Sequence, residues 1–209
     1  MTGAPVEPGY AFGDSDAAAE RLGMLAELFG PPSRSLLRSL GGRAIGLAID
    51  LGCGPGHTTR LLAEELQPAQ IVGLDRSESF LGRARVSGLD AQWYRHDVTE
   101  VPFPVGPADP IYSRLVLARL PQPDQAVADW MGQLRPEGVL VLEEDEDIVT
   151  ELATFVRYEA MSSDLVRPEA AISTSAGDWQ IGTGTTPRSS SASPSTTAWR
   201  SPLSLACSQ

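Results

Sequence analysis

The sequence of 209 residues contains no lysine, because its sixteen basic residues are all arginine. Without lysine the chain cannot form a Schiff base with a carbonyl substrate, and it lacks the lysine that P-loop proteins place on nucleotide phosphates. Cysteine and histidine occur twice each, and neither is spaced like the ligands of a zinc site. We therefore expect no bound metal, and no structural disulfide between Cys53 and Cys207.

Long apolar runs are absent as well. No stretch approaches the roughly 18–20 apolar residues of a membrane-spanning helix, and the first residues lack the basic and apolar blocks of a secretory signal. The sequence therefore predicts a cytoplasmic protein that does not enter membranes. The formal net charge of −11 disfavours nucleic acid and anionic lipid as partners, so we expect a small-molecule substrate. No feature of the sequence indicates an oligomeric state.

Composition divides the chain into three parts. Residues 1–43 carry apolar residues at helical spacing and predict an N-terminal helical cap, with a break expected at Pro31 and Pro32. Residues 44–169 alternate between apolar runs and helical patterns and form the predicted main domain. Residues 170–209 hold ten Ser, six Thr and three Pro without apolar periodicity, which predicts a disordered tail.

The alternation in the main domain predicts parallel strands with helices on both faces. The predicted strands are 44–50, 70–75, 91–97, 110–117 and 138–144, and the predicted helices are 57–66, 77–87, 123–134 and 149–166. Ligands of such sheets bind at the carboxyl ends of the strands. Polar residues at these ends are expected to line one crevice: Asp50, Asp75, Asp97, Ser113 and Glu143.

The first strand runs into a glycine-rich loop, "DLGCGPG", at residues 50–56. Glycines there permit positive φ and close approach of backbone to a ligand. A nicotinamide dinucleotide site uses G-x-G-x-x-G, with its pyrophosphate at the N-terminus of the helix. Here His57 replaces the third glycine, and Pro55 removes a backbone donor. The loop favours a cofactor that approaches the backbone closely but brings no phosphate.

At "AIDLGCGPGHTTRLLAEEL" the chain resembles the class I S-adenosylmethionine-dependent methyltransferases of the small-molecule type. Three later segments are similar to that family's second-strand, third-strand and fourth-to-fifth-strand motifs: "VGLDRSESFLGRAR", "RHDVTEVPFP" and "YSRLVLARLPQPDQAVADWMGQLRPEGVLVLEED". The resemblance covers residues 10–166. It implies a Rossmann-like α/β fold, a doubly wound sheet of five parallel strands in the order 3-2-1-4-5.

The resemblance also implies S-adenosylmethionine as the cofactor. Asp75 would accept hydrogen bonds from the ribose hydroxyls, Asp97 from the adenine amino group, and the Val98 N–H would serve the adenine ring. The Gly52 carbonyl and Asp50 would serve the methionine ammonium. The full set of implied cofactor-binding residues is Asp50, Gly52, Cys53, Gly54, Asp75, Arg76, Asp97, Val98, Ser113 and Arg114.

Several alternatives stay open at this stage. Asp50 and Asp97 are also typical of helix caps and turns, and structural roles are expected for His57 and His96. No catalytic base is identified, and Glu143 and Tyr112 are candidates by position only.

The end of the chain departs from the family. The family's C-terminal hairpin, strands 6 and 7, is expected to be missing, with a C-terminus that is truncated, out of frame, or a genuine disordered tail on a shortened enzyme. The missing hairpin leaves open an inactive relic that binds cofactor without turnover. An NAD-dependent oxidoreductase is a second alternative, which Pro55 and His57 oppose.

Overall fold

A computed structural model describes residues 13–40, 42, 44–145 and 194–200, the last seven through their backbone only. One long helix precedes an alternating series of strands and helices. In chain order the elements are α1 Asp16–Ser39, β1 Leu47–Leu51, α2 His57–Leu66, β2 Gln70–Asp75, α3 Glu78–Arg85, β3 Gln92–Arg95, β4 Ile111–Arg114, a 3-10 turn Leu117–Arg119, α4 Pro123–Met131, β5 Val139–Asp145 and β6 Pro194–Arg200. The helix predicted at 149–166 lies outside the described residues.

The strands form one sheet in the order β3-β2-β1-β4-β5-β6. The first five strands are parallel, which confirms the predicted order 3-2-1-4-5. In this register Asp50 lies beside Gly73 on one side and Tyr112 on the other. The strand order reverses between β1 and β4, so the loops after these two strands diverge and leave a crevice at their carboxyl ends.

Strand β6 differs from the expectation for the C-terminal part. It pairs antiparallel with β5 along its whole length, from Val139 opposite Arg200 to Asp145 opposite Pro194. The sequence predicted a disordered tail over residues 170–209 and no C-terminal hairpin. The average composition of forty residues does not reveal a strand of seven residues. Strand β6 forms because the backbone N–H and C=O groups along β5 are available for pairing, which the local sequence of β6 does not show.

Helix α1 also differs from the expectation, because it is continuous through Pro31 and Pro32. Each proline removes the hydrogen bond to the carbonyl four residues earlier, at Glu27 and Leu28. All four of these residues are exposed, so water can satisfy the two carbonyls. A proline pair breaks a helix less readily on its solvent-facing side.

Apolar side chains cover both faces of the sheet. On one face, Ile49, Leu51, Val72 and Leu140 pack with Trp130 of α4. On the other face, residues of β1, β4 and β5 pack with α1 and α2 through Ala48, Tyr112, Val141, Leu37 and Leu62. Burial on both faces explains why the strands are nearly continuous apolar runs in the sequence.

Helix α1 crosses the second face and is held at both ends. Near its start, Asp14 accepts a hydrogen bond from Ser77 at 2.8 Å, and Asp16 pairs with Arg83 of α3. Near its end, Arg34 and Arg38 pair with Glu65 of α2 at 2.6 and 2.7 Å. The helix is thereby placed across the carboxyl ends of the strands.

The Trp93 ring packs directly over Gly73 of β2. A Cβ atom at Gly73 would lie 2.6 Å from Cε3 and Cζ3 of that ring and 2.8 Å from the Cys53 sulfur. We predict that Gly73→Ala lowers the free energy of unfolding by about 1–3 kcal/mol, because the ring or the glycine loop must shift. Urea unfolding followed by tryptophan fluorescence measures this change.

Gly82 provides the matched control for that substitution. It lies inside α3, is exposed, and a Cβ atom there would have no neighbouring atom within 4 Å. Gly82→Ala is therefore expected to be neutral or to stabilise by up to about 1 kcal/mol. An unchanged urea midpoint for Gly73→Ala would contradict the packing of Trp93 on β2.

Candidate functional site

A cleft of about 1070 Å³, including its open mouth, lies at the carboxyl ends of β1, β2 and β4. Helix α1 forms one side of it through Leu22 and Leu25. The other lining residues are Gly52, Cys53, Gly54, Pro55, His57, Thr58, Asp75, Arg76, Ser77, Phe80, His96, Asp97, Val98, Arg114, Leu115, Val116, Arg119 and Leu120. The sequence-derived motifs of the first four strands therefore meet around one cavity.

The glycine loop forms the floor of this cleft. Gly52, Gly54 and Gly56 have φ angles of +68°, +53° and +92°, which side chains other than glycine rarely adopt. The N–H groups of Gly52 and Cys53 donate to the Leu74 carbonyl at 2.8 and 3.1 Å, so the loop folds against β2. A Cβ at Gly52 would lie 2.4 Å from the nearest Val116 methyl carbon.

Asp75 joins the loop to the following helix. Its Oδ2 accepts a hydrogen bond from the Gly54 N–H, and its Oδ1 accepts one from the Ser77 N–H, both at 2.8 Å. Burial raises the pKa of Asp75 above its ordinary value, although these two backbone donors act in the opposite direction. Each oxygen accepts only one of these bonds and keeps a lone pair for a further donor in the cleft.

Asp50 lies beneath the loop and is 1% exposed. Its Oδ2 accepts hydrogen bonds from the hydroxyls of Thr58 and Thr59, both at 2.6 Å. Its Oδ1 has no hydrogen-bond partner among the described residues. Burial raises the pKa of Asp50 to about 6, in spite of the two hydroxyls. A carboxylate that is largely ionised at neutral pH therefore sits at the N-terminus of α2 with one oxygen to spare.

The turn after β3 is held from both sides. Asp97 Oδ1 accepts hydrogen bonds from the Thr99 N–H at 2.9 Å and the Thr99 hydroxyl at 2.7 Å. Partial burial raises the pKa of Asp97, but the bonds from Thr99 outweigh it and the net pKa is lowered. The Val98 carbonyl accepts a bond from the Trp130 indole N–H at 2.7 Å. Asp97 therefore stabilises the turn after β3, which is the alternative role considered for it in the sequence.

The opposite end of the cleft is basic. Arg114 is the last residue of β4 and donates through Nη1 to the Ser33 hydroxyl of α1 at 3.3 Å. His57 lies nearby, and its pKa is lowered first by burial and then by the charges of Arg114 and Arg60. The imidazole is therefore neutral at pH 7, and Arg114 supplies positive charge. The cleft runs from the carboxylates of Asp75 and Asp97 to this guanidinium.

Comparison with known proteins agrees with this arrangement. Residues 49–142 match the family described as the methyltransferase domain. The chain is 36% identical to a trans-aconitate 2-methyltransferase of Azoarcus sp. over 46% of this chain and 37% of that protein. It is 34% identical to the enzyme of the same name from Variovorax paradoxus, over 54% of this chain and 43% of that protein.

Solved structures share the fold. A protein described as a methyltransferase, solved with the Trm112 activator of Haloferax volcanii, has a TM-score of 0.56 at 21% identity, over 63% of this chain and 59% of its own. A second, from Bacillus halodurans, has a TM-score of 0.50 at 20% identity, over 63% of this chain and 58% of its own.

Residues 49–142 match a methyltransferase domain, and the chain shares its fold with the class I S-adenosylmethionine-dependent methyltransferases. Its ordered motifs, its 3-2-1-4-5 sheet and the family match coincide in the same residues. The alignments cover less than half the length of the two named relatives, 37% and 43%. The family's methyl donor is S-adenosylmethionine.

The structure places eight of the ten predicted cofactor residues on the cleft wall of this methyltransferase domain. Asp50 and Ser113 do not line it. Asp50 lies under the loop, whereas the Ser113 side chain is buried, on the sheet face of Leu51. The Ser113 hydroxyl has no hydrogen-bond partner among the described residues.

Sequence reasoning missed several lining residues. His57 and His96 both face the cleft, although only structural roles were expected for them. Leu22 and Leu25 were visible as one side of a helix, but the sequence did not show what that side covers. The spacing of His57 directly after the glycine loop is the one signal that could have identified it.

The two candidates for a catalytic base lie elsewhere. Glu143 and Tyr112 are buried and are not among the lining residues. The Tyr112 hydroxyl donates to Glu143 Oε2, and burial followed by the Glu143 charge raises the pKa of Tyr112 well above its ordinary value. Neither group has access to the cleft for proton transfer.

The described part of the chain contains no group of three or more His, Cys, Asp or Glu side chains arranged to hold a metal ion. None of the helices described there is long and apolar enough to cross a membrane.

The raised pKa of Asp50 predicts a specific dependence of stability on pH. The pKa of the Asp50 carboxyl is about 6 in the folded state, compared with the ordinary value of 3.8 in the unfolded state. The folded state therefore binds the carboxyl proton more tightly, and ionisation of Asp50 opposes folding. From full protonation below about pH 3 to full ionisation above about pH 7, wild type should lose about 3 kcal/mol of unfolding free energy relative to Asp50→Asn. About 2 kcal/mol of this loss should fall between about pH 4.5 and 7.5, and the difference should be constant above about pH 7.

Urea unfolding of both proteins without ligand, from pH 4.5 to 7.5, measures the difference, since other groups titrate equally in both. Asp97→Asn is the control because the pKa of Asp97 is lowered, so its contribution is already complete above pH 5. A gap between wild type and Asp50→Asn that is equal at pH 4.5 and pH 7 would contradict the burial of an ionised Asp50.

Proposed function

We propose that this chain transfers a methyl group from S-adenosylmethionine to a small-molecule acceptor, and that the acceptor is a small carboxylic acid. The proposal has a donor half, S-adenosylmethionine, and an acceptor half, the carboxylic acid. The donor half rests on the buried Asp50 carboxylate, which has one oxygen without a partner among the described residues and lies beneath a glycine loop bonded to Asp75. A cationic sulfonium and ammonium suit this negative charge.

The same carboxylate disfavours a dinucleotide. A pyrophosphate needs the N-terminal N–H groups of the helix after the loop. In this chain a buried carboxylate already occupies the N-terminus of α2 through Thr58 and Thr59, and it would repel phosphate. The comparisons give no support to an NAD-dependent oxidoreductase or to an inactive relic.

The remaining residues fit the adenosine half. Asp75 keeps lone pairs for the two ribose hydroxyls, and hydrogen bonds to a charged group contribute about 1.5–3 kcal/mol each. Asp97 and the Val98 N–H would hold the adenine edge, in a turn braced by Thr99 and Trp130. Arg76 lines the cleft beside Asp75, where it would cover the adenine face.

When bound, the cofactor supplies a methyl group on a sulfonium centre that is already activated toward a nucleophile. The chain's own contribution is to orient and to exclude water, and positioning of this kind lowers barriers by about 7–11 kcal/mol. Leu22 and Leu25 of α1 cover the cleft from one side. A carboxylate acceptor is ionised at pH 7 and needs no base, which agrees with the burial of Glu143 and Tyr112.

Two observations support a carboxylic acid as acceptor. The curated relatives from Azoarcus and Variovorax are named trans-aconitate 2-methyltransferases. The end of the cleft away from Asp75 is lined by Arg114 and Arg119, whose guanidinium groups are suited to carboxylates.

Ligand binding distinguishes an S-adenosylmethionine site from a site for NAD. We predict that S-adenosylhomocysteine at a hundred times its Kd stabilises the protein by about 2.7 kcal/mol, and that NAD at the same concentration does not. Asp75→Asn should weaken S-adenosylhomocysteine binding by about 10–100-fold, the loss of charged hydrogen bonds to two hydroxyls. Exposed Asp90 gives the control Asp90→Asn, with unchanged affinity. Calorimetric titration measures each Kd, and stronger binding of NAD would sink the proposal.

Turnover tests the acceptor half. Wild type supplied with S-adenosylmethionine and a panel of di- and tricarboxylic acids should form methyl esters, detected by mass spectrometry as a gain of one methyl group. Amine and phenol panels serve as the comparison. Methylation confined to amines or phenols would remove the carboxylic acid and leave the donor half standing.

A further inference from the structure

A hydrogen-bonded relay of polar side chains runs from β5 through α1 to the cleft. Glu143, 2% exposed, accepts hydrogen bonds at Oε2 from the Ser33 hydroxyl at 2.6 Å and from the Tyr112 hydroxyl. Ser33, 1% exposed, accepts in turn from Arg114 Nη1 at 3.3 Å. Among the described residues of this relay, only Arg114 lines the cleft.

We propose that Glu143 and Ser33 are positioning residues, which hold the Arg114 guanidinium in place to bind a carboxylate in the cleft. The inference rests on the proposed function, because that carboxylate belongs either to the methionine part of the cofactor or to the acceptor. It also assigns helix α1 a role in the site beyond covering it.

Sheet register places these groups together. Arg114 and Glu143 are direct neighbours on β4 and β5, and Tyr112 lies two residues before Arg114, so all three share one sheet face. Helix α1 packs on this face, and Ser33 meets the strands where β4 and β5 end. The guanidinium is thus bounded on its protein side by α1 and on its other side by the cleft.

The hydrogen-bond directions form a relay. The Ser33 hydroxyl has one proton, and its shortest contact, at 2.6 Å, is to Glu143, compared with 2.8 Å to the Phe29 carbonyl. Donation to Glu143 leaves the Ser33 lone pairs for the Arg114 N–H. A buried carboxylate at one end and a guanidinium at the other polarise each bond between them. The bond to Ser33 favours one orientation of the Arg114 guanidinium and leaves its other N–H groups for a ligand carboxylate.

Electrostatics support a ligand anion at this point. Arg114 acts on three neighbours, lowering the pKa of Asp50, His57 and Tyr112. His57 is neutral at pH 7, so it does not compete for the anion. No carboxylate of the described residues lies within 4 Å of the Arg114 nitrogens, whereas Arg34, Arg38, Arg83 and Arg85 all have such partners.

The test compares two ligands that differ in the group at issue. S-adenosylhomocysteine carries the amino-acid carboxylate, whereas 5′-methylthioadenosine carries the same adenosine and sulfur without it. Calorimetric titration gives the ratio of their affinities for wild type, Ser33→Ala, Glu143→Gln and Arg114→Lys. Tyr112→Phe is the matched control, since it removes the other bond to Glu143 and leaves the relay to Arg114 intact.

If Arg114 holds the cofactor's carboxylate, the three relay variants should bind S-adenosylhomocysteine about 10-fold more weakly and 5′-methylthioadenosine as wild type does. If it holds the acceptor's carboxylate, both affinities should be unchanged, while KM for the acceptor rises about 10-fold at constant kcat. In either case Tyr112→Phe should behave as wild type. Ser33→Ala retains the assay if Glu143→Gln fails to fold.

Three results would overturn the inference. One is an unchanged affinity ratio together with an unchanged KM in all relay variants. The second is a parallel loss of both ligands, which would mark a purely structural role. The third is equal effects of Tyr112→Phe and Ser33→Ala. Wild-type protein that binds neither ligand would instead refute the proposed function, and the inference with it.

Discussion

The site depends on one buried carboxylate beneath a glycine loop. Asp50 ends the apolar run of β1, and its bonds to Thr58 and Thr59 connect that strand to the first turn of α2. The loop between them has little freedom, because its N–H groups are drawn to Leu74 and to Asp75 on the next strand. The cleft is therefore bounded by strongly constrained backbone and carries negative charge under its floor.

Helix α1 completes the cleft, and it is positioned by polar contacts rather than by its position in the sequence. Its first residues bond to the start of α3, its later residues pair with α2, and Ser33 reaches the ends of β4 and β5. The apolar residues Leu22 and Leu25 then lie over the glycine loop, with a Leu22 methyl carbon 3.5 Å from a Cβ built at Gly54. The three glycines of the loop thus leave room for the large apolar side chains of α1 on the opposite side of the cleft.

The parallel core could be predicted because its sequence signals are local. A strand buried on both faces must be apolar throughout, and a helix must follow before the next parallel strand, so 44–50 and 70–75 were recognisable by pattern alone. The glycine loop was equally legible, since positive φ at three positions requires glycine. These signals sufficed for a parallel sheet with a ligand crevice. The order of its five strands and most of the residues on the cleft wall were implied by the family resemblance of the motifs.

The expectations that differed from the structure involve partners distant in sequence. Pro31 and Pro32 remain inside α1 because they face solvent, which depends on where the helix packs. Strand β6 forms against an edge some fifty residues earlier in the chain, from Ser- and Thr-rich residues with no apolar period. Glu143 and Tyr112 were candidate bases by their position in β5 and β4, but both are buried, and their hydrogen bonds to each other and to α1 keep them out of the cleft.

By itself the sequence determined the parallel sheet and a cofactor loop that disfavours phosphate, because periodicity, glycine and proline act within a few residues of themselves. The strand order followed from the resemblance of its motifs to a known family. Only the tertiary structure decided which side of α1 covers the cleft, that His57 faces into it, and that Arg114 is tied to Glu143 through Ser33. The two contacts of Ser33 in that relay join residues 81 and 110 positions apart, and no local pattern encodes which of many possible contacts packing selects.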